Sequence, residues 1–378
     1  MPVIQSGLSL SNPIYHYPIQ FSFAVCSSQA VFRAAVFCYN FPKIFNNESK
    51  DYCDRGNQKI KKMNGTIDIA KLLMAVLVIG IHTEPFSFNF WLDKGFGIVT
   101  RLCVPFFFVT SAYFFWIKEK SAAAFLKRIV LLYVIWSIIY LPYDINTLKK
   151  MSIRQLLDRF LWTGNEHALW YLCGTIIGFI ITYALLKILK PEYVLIIAIL
   201  MLIIGTMKST YSTALKQLFN LSLPNHLGSR NGSFYSFPYM AMGMAIAKSK
   251  TQGKTDNRTK LYIGFFVSLL LLMVESYLFL IHFKTASTVL WLSVFPYTYY
   301  FFMIANNVEI QIDKKYSLTF RKMSTLMYVS QYLFIPYLSK HYSTMQLFMA
   351  VVVSTAVFAL TIIKLSDVKP LRFLKYLY

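Results

Sequence analysis

Residues 64–83 read NGTIDIAKLLMAVLVIGIHT. The stretch is almost wholly apolar and long enough, as a helix, to cross the ~30 Å hydrocarbon core of a bilayer. Comparable runs recur at 96–116, 125–143, 166–189, 191–207, 231–247, 260–281, 286–305, 324–340 and 344–363. Lipid offers no partner to backbone N–H and C=O groups, so runs of this length must satisfy them internally and read as helices. The expected fold is all-α, a polytopic transmembrane bundle of about ten helices. Segment 231–247 is the weakest of the ten, because Pro238 and several glycines interrupt it.

Composition agrees. Hydrophobic residues make up 56% of the 378 and charged residues 14%, against roughly 25% charged in a typical soluble domain. Mean hydropathy is +0.50. The net charge of +22 raises the question of nucleic acid, but the cations fall in short clusters between apolar runs. A nucleic-acid surface would need a continuous basic patch, whereas clusters at helix ends are what the positive-inside rule produces. If the end before Asn64 is cytoplasmic, twenty-two Lys and Arg lie on the inner side and ten on the outer. The expectation is therefore a multi-pass protein of the plasma (bacterial inner) membrane, with both ends of the ten-helix unit cytoplasmic.

Residues 1–62 read as a poorly defined extension ahead of a membrane domain at 63–378. Segment 19–41 is apolar enough for an extra span or a re-entrant piece, but Arg33 interrupts it. A chain starting at Met63 is expected to insert and work as well as the full one. In 149–161, Ile153, Leu156, Leu157, Phe160 and Leu161 share one helical face, and Lys150, Arg154, Asp158 and Arg159 take the other. This is an amphipathic helix, either lying in the membrane interface or packed on the bundle. The five cysteines show no metal spacing, and no metal site is expected.

Ionisable residues inside spans are costly and need a reason. The first span carries Asp68, Lys71 and His82. Lys71 and His82 lie eleven positions apart, only ~20° around the helix axis. Asp68 falls on the same stripe. The plain alternative is an Asp68–Lys71 ion pair at the inner interface with His82 at the outer one. Arg101 lies in the outer part of the second span, at a depth similar to His82. The fourth span enters as GNEHALWYL, bringing Glu166, His167, Trp170 and Tyr171 to the same layer. For Trp170 and Tyr171 an interfacial aromatic belt explains the position as well. Arg101 could hold an anionic or carbonyl group, or pair with Glu84 or Glu166. Imidazole is the side chain best matched in pKa to take a hydroxyl proton at neutral pH.

Several of these residues stand in a recognisable order. Asp68-Ile-Ala-Lys71 is followed by ten residues and His82; then come Arg101-Leu-Cys-Val-Pro-Phe-Phe-Phe-Val-Thr-Ser-Ala-Tyr113, Leu126-Lys-Arg128, His167-Ala-Leu-Trp-Tyr-Leu172 and Phe237-Pro-Tyr-Met-Ala-Met-Gly243. The ordered set resembles the acyltransferase-3 family of bacterial membrane O-acyltransferases, over about Asn64 to Leu365. The spacing of KRIVLLYVIWSIIYLPY is similar to the subgroup containing the membrane domains of membrane-bound serine racemases, which are associated with amino-acid uptake. Gln331 stands where the ninth-span motif of the family has a histidine.

The resemblance implies transfer of an acyl group, most often acetyl from acetyl-CoA, to a hydroxyl of a cell-envelope or exopolysaccharide glycan. For such a transfer the side-chain chemistry suggests His82 as general base, Asp68 and Lys71 ordering the polar stripe, and Arg101 stabilising oxyanion charge or orienting the donor. Lys127 and Arg128 would meet the phosphates of coenzyme A, and Glu166, His167, Trp170 and Tyr171 would line the substrate site. The expected partners are acyl-CoA, a carbohydrate or lipid-linked glycan and the bilayer, with no tightly bound cofactor and no nucleic acid. A transporter or permease-like domain without acyl transfer is the alternative reading.

Overall fold

The computed structural model describes residues 65–118, 121–164, 167–223, 230–251, 257–283 and 290–378. The chain divides into Met1–Arg55 and Gly56–Tyr378, and every described residue belongs to the second unit. The expected extension and segment 19–41 lie outside the described residues.

Thirteen α-helices and no strand occur among the described residues. They are α1 Gly65–Thr83, α2 Phe90–Val99, α3 Cys103–Ile117, α4 Ala122–Leu148, α5 Ile153–Leu157, α6 Trp170–Ile188 and α7 Pro191–Lys208. Then follow α8 Ser212–Phe219, α9 Phe237–Thr251, α10 Arg258–Tyr277, α11 Val294–Asn307, α12 Lys314–Leu338 and α13 Thr344–Leu365. A 3-10 turn, Thr100–Leu102, joins α2 to α3, and a 3-10 helix, Lys369–Leu377, follows α13. Each of the ten expected spans finds a helix.

Local chemistry sets the boundaries. Asn89 caps α2 by accepting from the Trp91 and Leu92 amides at 3.0 and 3.1 Å, and Asp313 caps α12 through the Lys315 amide. Pro191 sits in the first turn of α7, where its missing N–H costs nothing. Asn220 closes α8 with a left-handed φ of 51°. Buried Thr110, Thr182, Thr298 and Thr355 return their hydroxyls to the carbonyl four residues back. Each thus removes a donor that lipid could not accept.

Seven stretches are long and apolar enough to cross a membrane: α1, α2 with α3, α4, α6, α7, α10 with its closing turn, and α13. The other three expected spans fall on α9, α11 and α12. α9 and α11 are shorter, at 15 and 14 residues, and α12 carries four Lys and Arg in its first half; the first and last of these are also well packed within the bundle. On α9, Phe237, Tyr239, Met240, Ala241, Met242 and Met244 are all buried. The middle of α12, from Leu326 to Gln331, is buried throughout. By contrast α10 turns Ile263, Phe266, Val267 and Leu270 outward, as a lipid-facing helix should.

The 149–161 segment splits into α5 and a π-turn over Asp158–Thr163. Ser152 and Gln155 form a reciprocal capping box at its start. Its apolar face stays exposed at Ile153, Leu157 and Leu161, which suits a lipid interface rather than packing on the bundle. Arg159, however, leaves the polar face and turns inward, with 7% exposure.

α3 and α9 meet in a tight seam. A Cβ on Gly243 would run into the carbonyl of Val109, whereas one on Gly95 would meet nothing. Backbone cannot step aside as a side chain does, so Gly243→Ala should cost about 1–3 kcal/mol by overpacking. We expect Gly243→Ala to lower the thermal midpoint in detergent by several degrees and Gly95→Ala to leave it unchanged. Equal midpoints for the two variants would contradict this packing.

Candidate active site

The structure separates the residues of the α1 stripe into two layers. Asp68 lies in the first turn of α1 and His82 in the last, about 21 Å apart along the axis at 1.5 Å per residue.

In the lower layer, Asp68 is 2% exposed and is gripped by α12. Arg321 donates to it from Nε at 3.1 Å and from its terminal nitrogen at 2.8 Å, and Ser317 donates at 2.5 Å. This fork is the strong bidentate geometry for a carboxylate. The ion pair allowed for Asp68 with Lys71 thus gives way to one with Arg321. Lys71 lies within electrostatic range of Asp68, Arg321, Lys118 and Arg128. Its ammonium stands 5.4 Å from the Phe114 ring centroid, and Lys118 stands at 5.4 Å from the same ring. Lys127 and Arg128, on the first turns of α4, are exposed. The layer is a concentration of cations around one carboxylate.

In the upper layer, His82 Nδ1 is 3.0 Å from the hydroxyl of Tyr332 on α12. The edge of the Tyr332 ring meets His167, centroids 5.3 Å apart. His167 stacks on Tyr140 at 4.9 Å and places Nε2 2.9 Å from Asp144 Oδ1. Arg159 reaches the same carboxylate oxygen at 3.2 Å. Asp144, near the C-terminal end of α4, therefore joins the π-turn after α5 to the segment that leads into α6.

The backbone here is strained. Gly164 has φ 78°, and a Cβ on it would collide with the Trp170 backbone. His167 and Ala168, neither of them glycine, have φ of 60° and 67°. Left-handed residues of this kind cost about 1–3 kcal/mol each and persist where surrounding contacts fix them. The fixing contacts are Asp144 on the His167 ring and the Tyr328 hydroxyl, which donates to the Ala168 carbonyl at 3.1 Å.

Arg101 projects from the 3-10 turn between α2 and α3 and lies within electrostatic range of His82, Arg230 and Tyr235. Arg230 covers Trp170 at 5.0 Å, and Trp170 stacks on Tyr235 at 5.6 Å. Trp170 is thus part of this layer rather than of an outer belt. Tyr171 packs on Phe108 at 4.8 Å and brings its hydroxyl within 3.4 Å of Ser111. Glu166 lies outside the described residues. The upper layer therefore gathers His82, Arg101, His167 and Trp170, while Asp68, Lys71 and Arg128 belong to the lower one and Tyr171 packs between them against Ser111 and Phe108. Sequence reasoning missed Arg321, Asp144, Arg159, Arg230 and Tyr332 as members of these layers. Among the described residues, no group of three or more His, Cys, Asp or Glu side chains could hold a metal ion.

Residues 64–364 match the family described as "Acyltransferase domain", the acyltransferase-3 family. The chain belongs to this family. It is 30% identical over 235 residues to an "Amino-acid racemase" of Enterococcus faecalis, covering 57% of this chain and 32% of that protein. It is 25% identical over 234 residues to a "Serine/alanine racemase" of Enterococcus gallinarum, covering 56% and 33%. The chain thus spans about a third of the length of these relatives. No solved structure matches it. The family places the upper and lower layers inside one multi-pass membrane acyltransferase domain.

Breaking a buried ion pair by removing one partner costs about 3–5 kcal/mol, because the other charge stays buried. Asp144→Ala should therefore lower thermal stability by that order, and adding Arg159→Met should restore a good part of it. Detergent unfolding midpoints of the two single variants and the double decide this. Strict additivity would show that Asp144 and Arg159 act independently.

Proposed function

We propose that this membrane acyltransferase moves an acyl group, in the first instance acetyl, from acyl-CoA to a hydroxyl of a cell-envelope or exopolysaccharide glycan. The observation that carries the reading is His82 held at Nδ1 by Tyr332, with Arg101 in the same layer of a family-matched domain.

In the proposed reaction Nδ1–H donates to the Tyr332 oxygen, which leaves the Nε2 lone pair of His82 for the acceptor hydroxyl. Nε2 takes the hydroxyl proton as the oxygen attacks the thioester carbonyl. Arg101, a fixed cation in a site of low dielectric, stabilises the oxyanion that develops. Collapse expels the coenzyme A thiolate, and the imidazolium returns its proton to that sulfur. The ester oxygen comes from the glycan and the carbonyl from the donor, so nothing else is consumed. Lys71, Lys118, Arg128 and Arg321 suit the phosphates of the donor at the lower layer, with Lys127 at its exposed edge. The lower layer is then the cytoplasmic one, and both ends of the ten-helix unit face the cytoplasm. His167, Trp170, Tyr171 and Glu166 fall to the acceptor side.

A second reading, handling of an amino acid without acyl transfer, is favoured by the names of the racemase relatives. Membrane vesicles given radiolabelled acetyl-CoA on one side, or labelled serine, separate the two. Acetyl incorporation into glycan supports the enzyme, and serine uptake alone supports the other.

Loss of a general base slows reaction by about 10²–10⁴-fold. His82→Ala should therefore lose acyl transfer to that extent per inserted protein. Arg101→Lys should also fall, because an ammonium lacks the planar fork. Full activity of His82→Ala per inserted protein would end the assignment. A reporter fused at Ser152 should read external, and a cytoplasmic signal there would invert the proposed orientation.

A further inference from the structure

The segment after α13 has a property that the acyltransferase reading does not use. Residues Lys369–Leu377, KPLRFLKYL, form a 3-10 helix. This conformation has three residues per turn, so side chains three apart stand directly above one another. The sequence repeats with that same period. Lys369, Arg372 and Lys375 make one stripe; Pro370, Phe373 and Tyr376 make the second; Leu371, Leu374 and Leu377 make the third.

The three stripes have different surroundings. The leucine stripe is half-buried, and the helix packs on α4 and α13. Trp136 of α4 donates to the Leu377 carbonyl at 3.1 Å. Phe373 and Tyr376 are 60% and 59% exposed, and the basic stripe is exposed beside them. An α-helix would scatter this pattern by 100° per residue; the 3-10 form keeps each stripe intact.

The helix is also tied back to the end of the last span. It begins four residues after α13 ends at Leu365. The Tyr378 hydroxyl lies 2.8 Å from Ser366 Oγ, directly after that span, and Lys322 covers the Tyr378 ring at 5.1 Å. Aromatic rings beside cations at the end of a span are the composition of a surface lying at headgroup level. One carboxylate competes: Asp367 stands 3.9 Å from Lys375, with both side chains well exposed. A contact of that length and exposure is worth little.

We propose that the basic stripe Lys369, Arg372 and Lys375 is a binding site for the headgroups of anionic phospholipids. The exposed Phe373 and Tyr376 enter the adjacent interface, and the leucine stripe holds the helix to the bundle. The occupant is the charged bilayer surface, because cations and exposed aromatic rings run side by side at the end of a span. A juxtamembrane cation strengthens attraction to an anionic surface by about fivefold, so three act on the order of a hundredfold. The proposal is independent of acyl transfer.

The test is amide hydrogen exchange of the full chain in nanodiscs, comparing phosphatidylcholine alone with a mixture containing phosphatidylglycerol. Residues 367–378 should exchange severalfold more slowly in the anionic discs. High salt should reduce that difference, since exposed charges are screened. The triple variant Lys369→Gln, Arg372→Gln, Lys375→Gln should lose the difference, with α13 protected as before. Arg372→Lys should keep it, because the charge remains. Phe373→Gln should speed exchange in both lipids. Equal exchange of the unmodified chain in the two lipids would overturn the proposal and leave the stripe to a protein partner. So would a difference that survives in the triple variant.

Discussion

A charge in hydrocarbon must find its partner within the protein, and two carboxylates show how this chain meets that demand. Asp68 draws Arg321 and Ser317 across from α12. Asp144 draws Arg159 and His167 from segments that follow it. Each contact ties together elements that apolar packing alone would leave free to slide, because lipid is as good a neighbour for a leucine as another leucine is. Of the helices that carry them, α12 is buried from Leu326 to Gln331, whereas α4 turns Val134, Ile138 and Leu141 outward.

The membrane character, the ten helical segments and their order were legible in the sequence because each rests on local composition. Apolar length is a property of consecutive residues, and a cap such as Asn89 or Asp313 acts within one turn. The stripe on α1 was legible for the same reason, since a helix fixes the angle between Lys71 and His82. What the stripe means was not. Asp68 finds its counter-ion 253 positions along the chain, and no spacing rule reaches that far. The segment 149–161 shows the limit from another side. Its amphipathic pattern left open whether the apolar face meets the membrane interface or the bundle, and it put Arg159 on the polar side. The π-turn at Asp158–Thr163 breaks the 3.6-residue period, so the expected face no longer holds there.

The ninth expected span gives a narrower lesson. Gln331 draws notice because the resembling motif has a histidine there. In the structure Gln331 is fully buried and donates to the Tyr328 carbonyl within its own helix. The next residue, Tyr332, rotated 100° around the axis, is the one that meets His82. A single-residue comparison of types cannot see this, whereas the contact fixes it at once.

The distribution of polar groups along α1 bears on how the proposed reaction must work. Between Lys71 and His82 the same helix face carries Ala75 and Val78, both buried against neighbours. An acyl donor anchored by phosphates at the lower layer would have to extend its pantetheine arm over a distance comparable to the 21 Å rise between the layers. One aromatic cluster lies between the two layers: Phe107 and Phe108 from α3, Tyr171 from α6 and Tyr328 from α12 touch one another ring to ring. Flat rings yield by rotating about two torsions without surrendering their packing to lipid, whereas the backbone seam at Gly243 cannot. Passage of the donor is therefore expected to move side chains of this aromatic cluster and to leave the helix positions unchanged. In the proposed reaction the charged layers at either end would act as fixed points: the lower would hold the donor's phosphates, and the upper the imidazole that would meet its carbonyl.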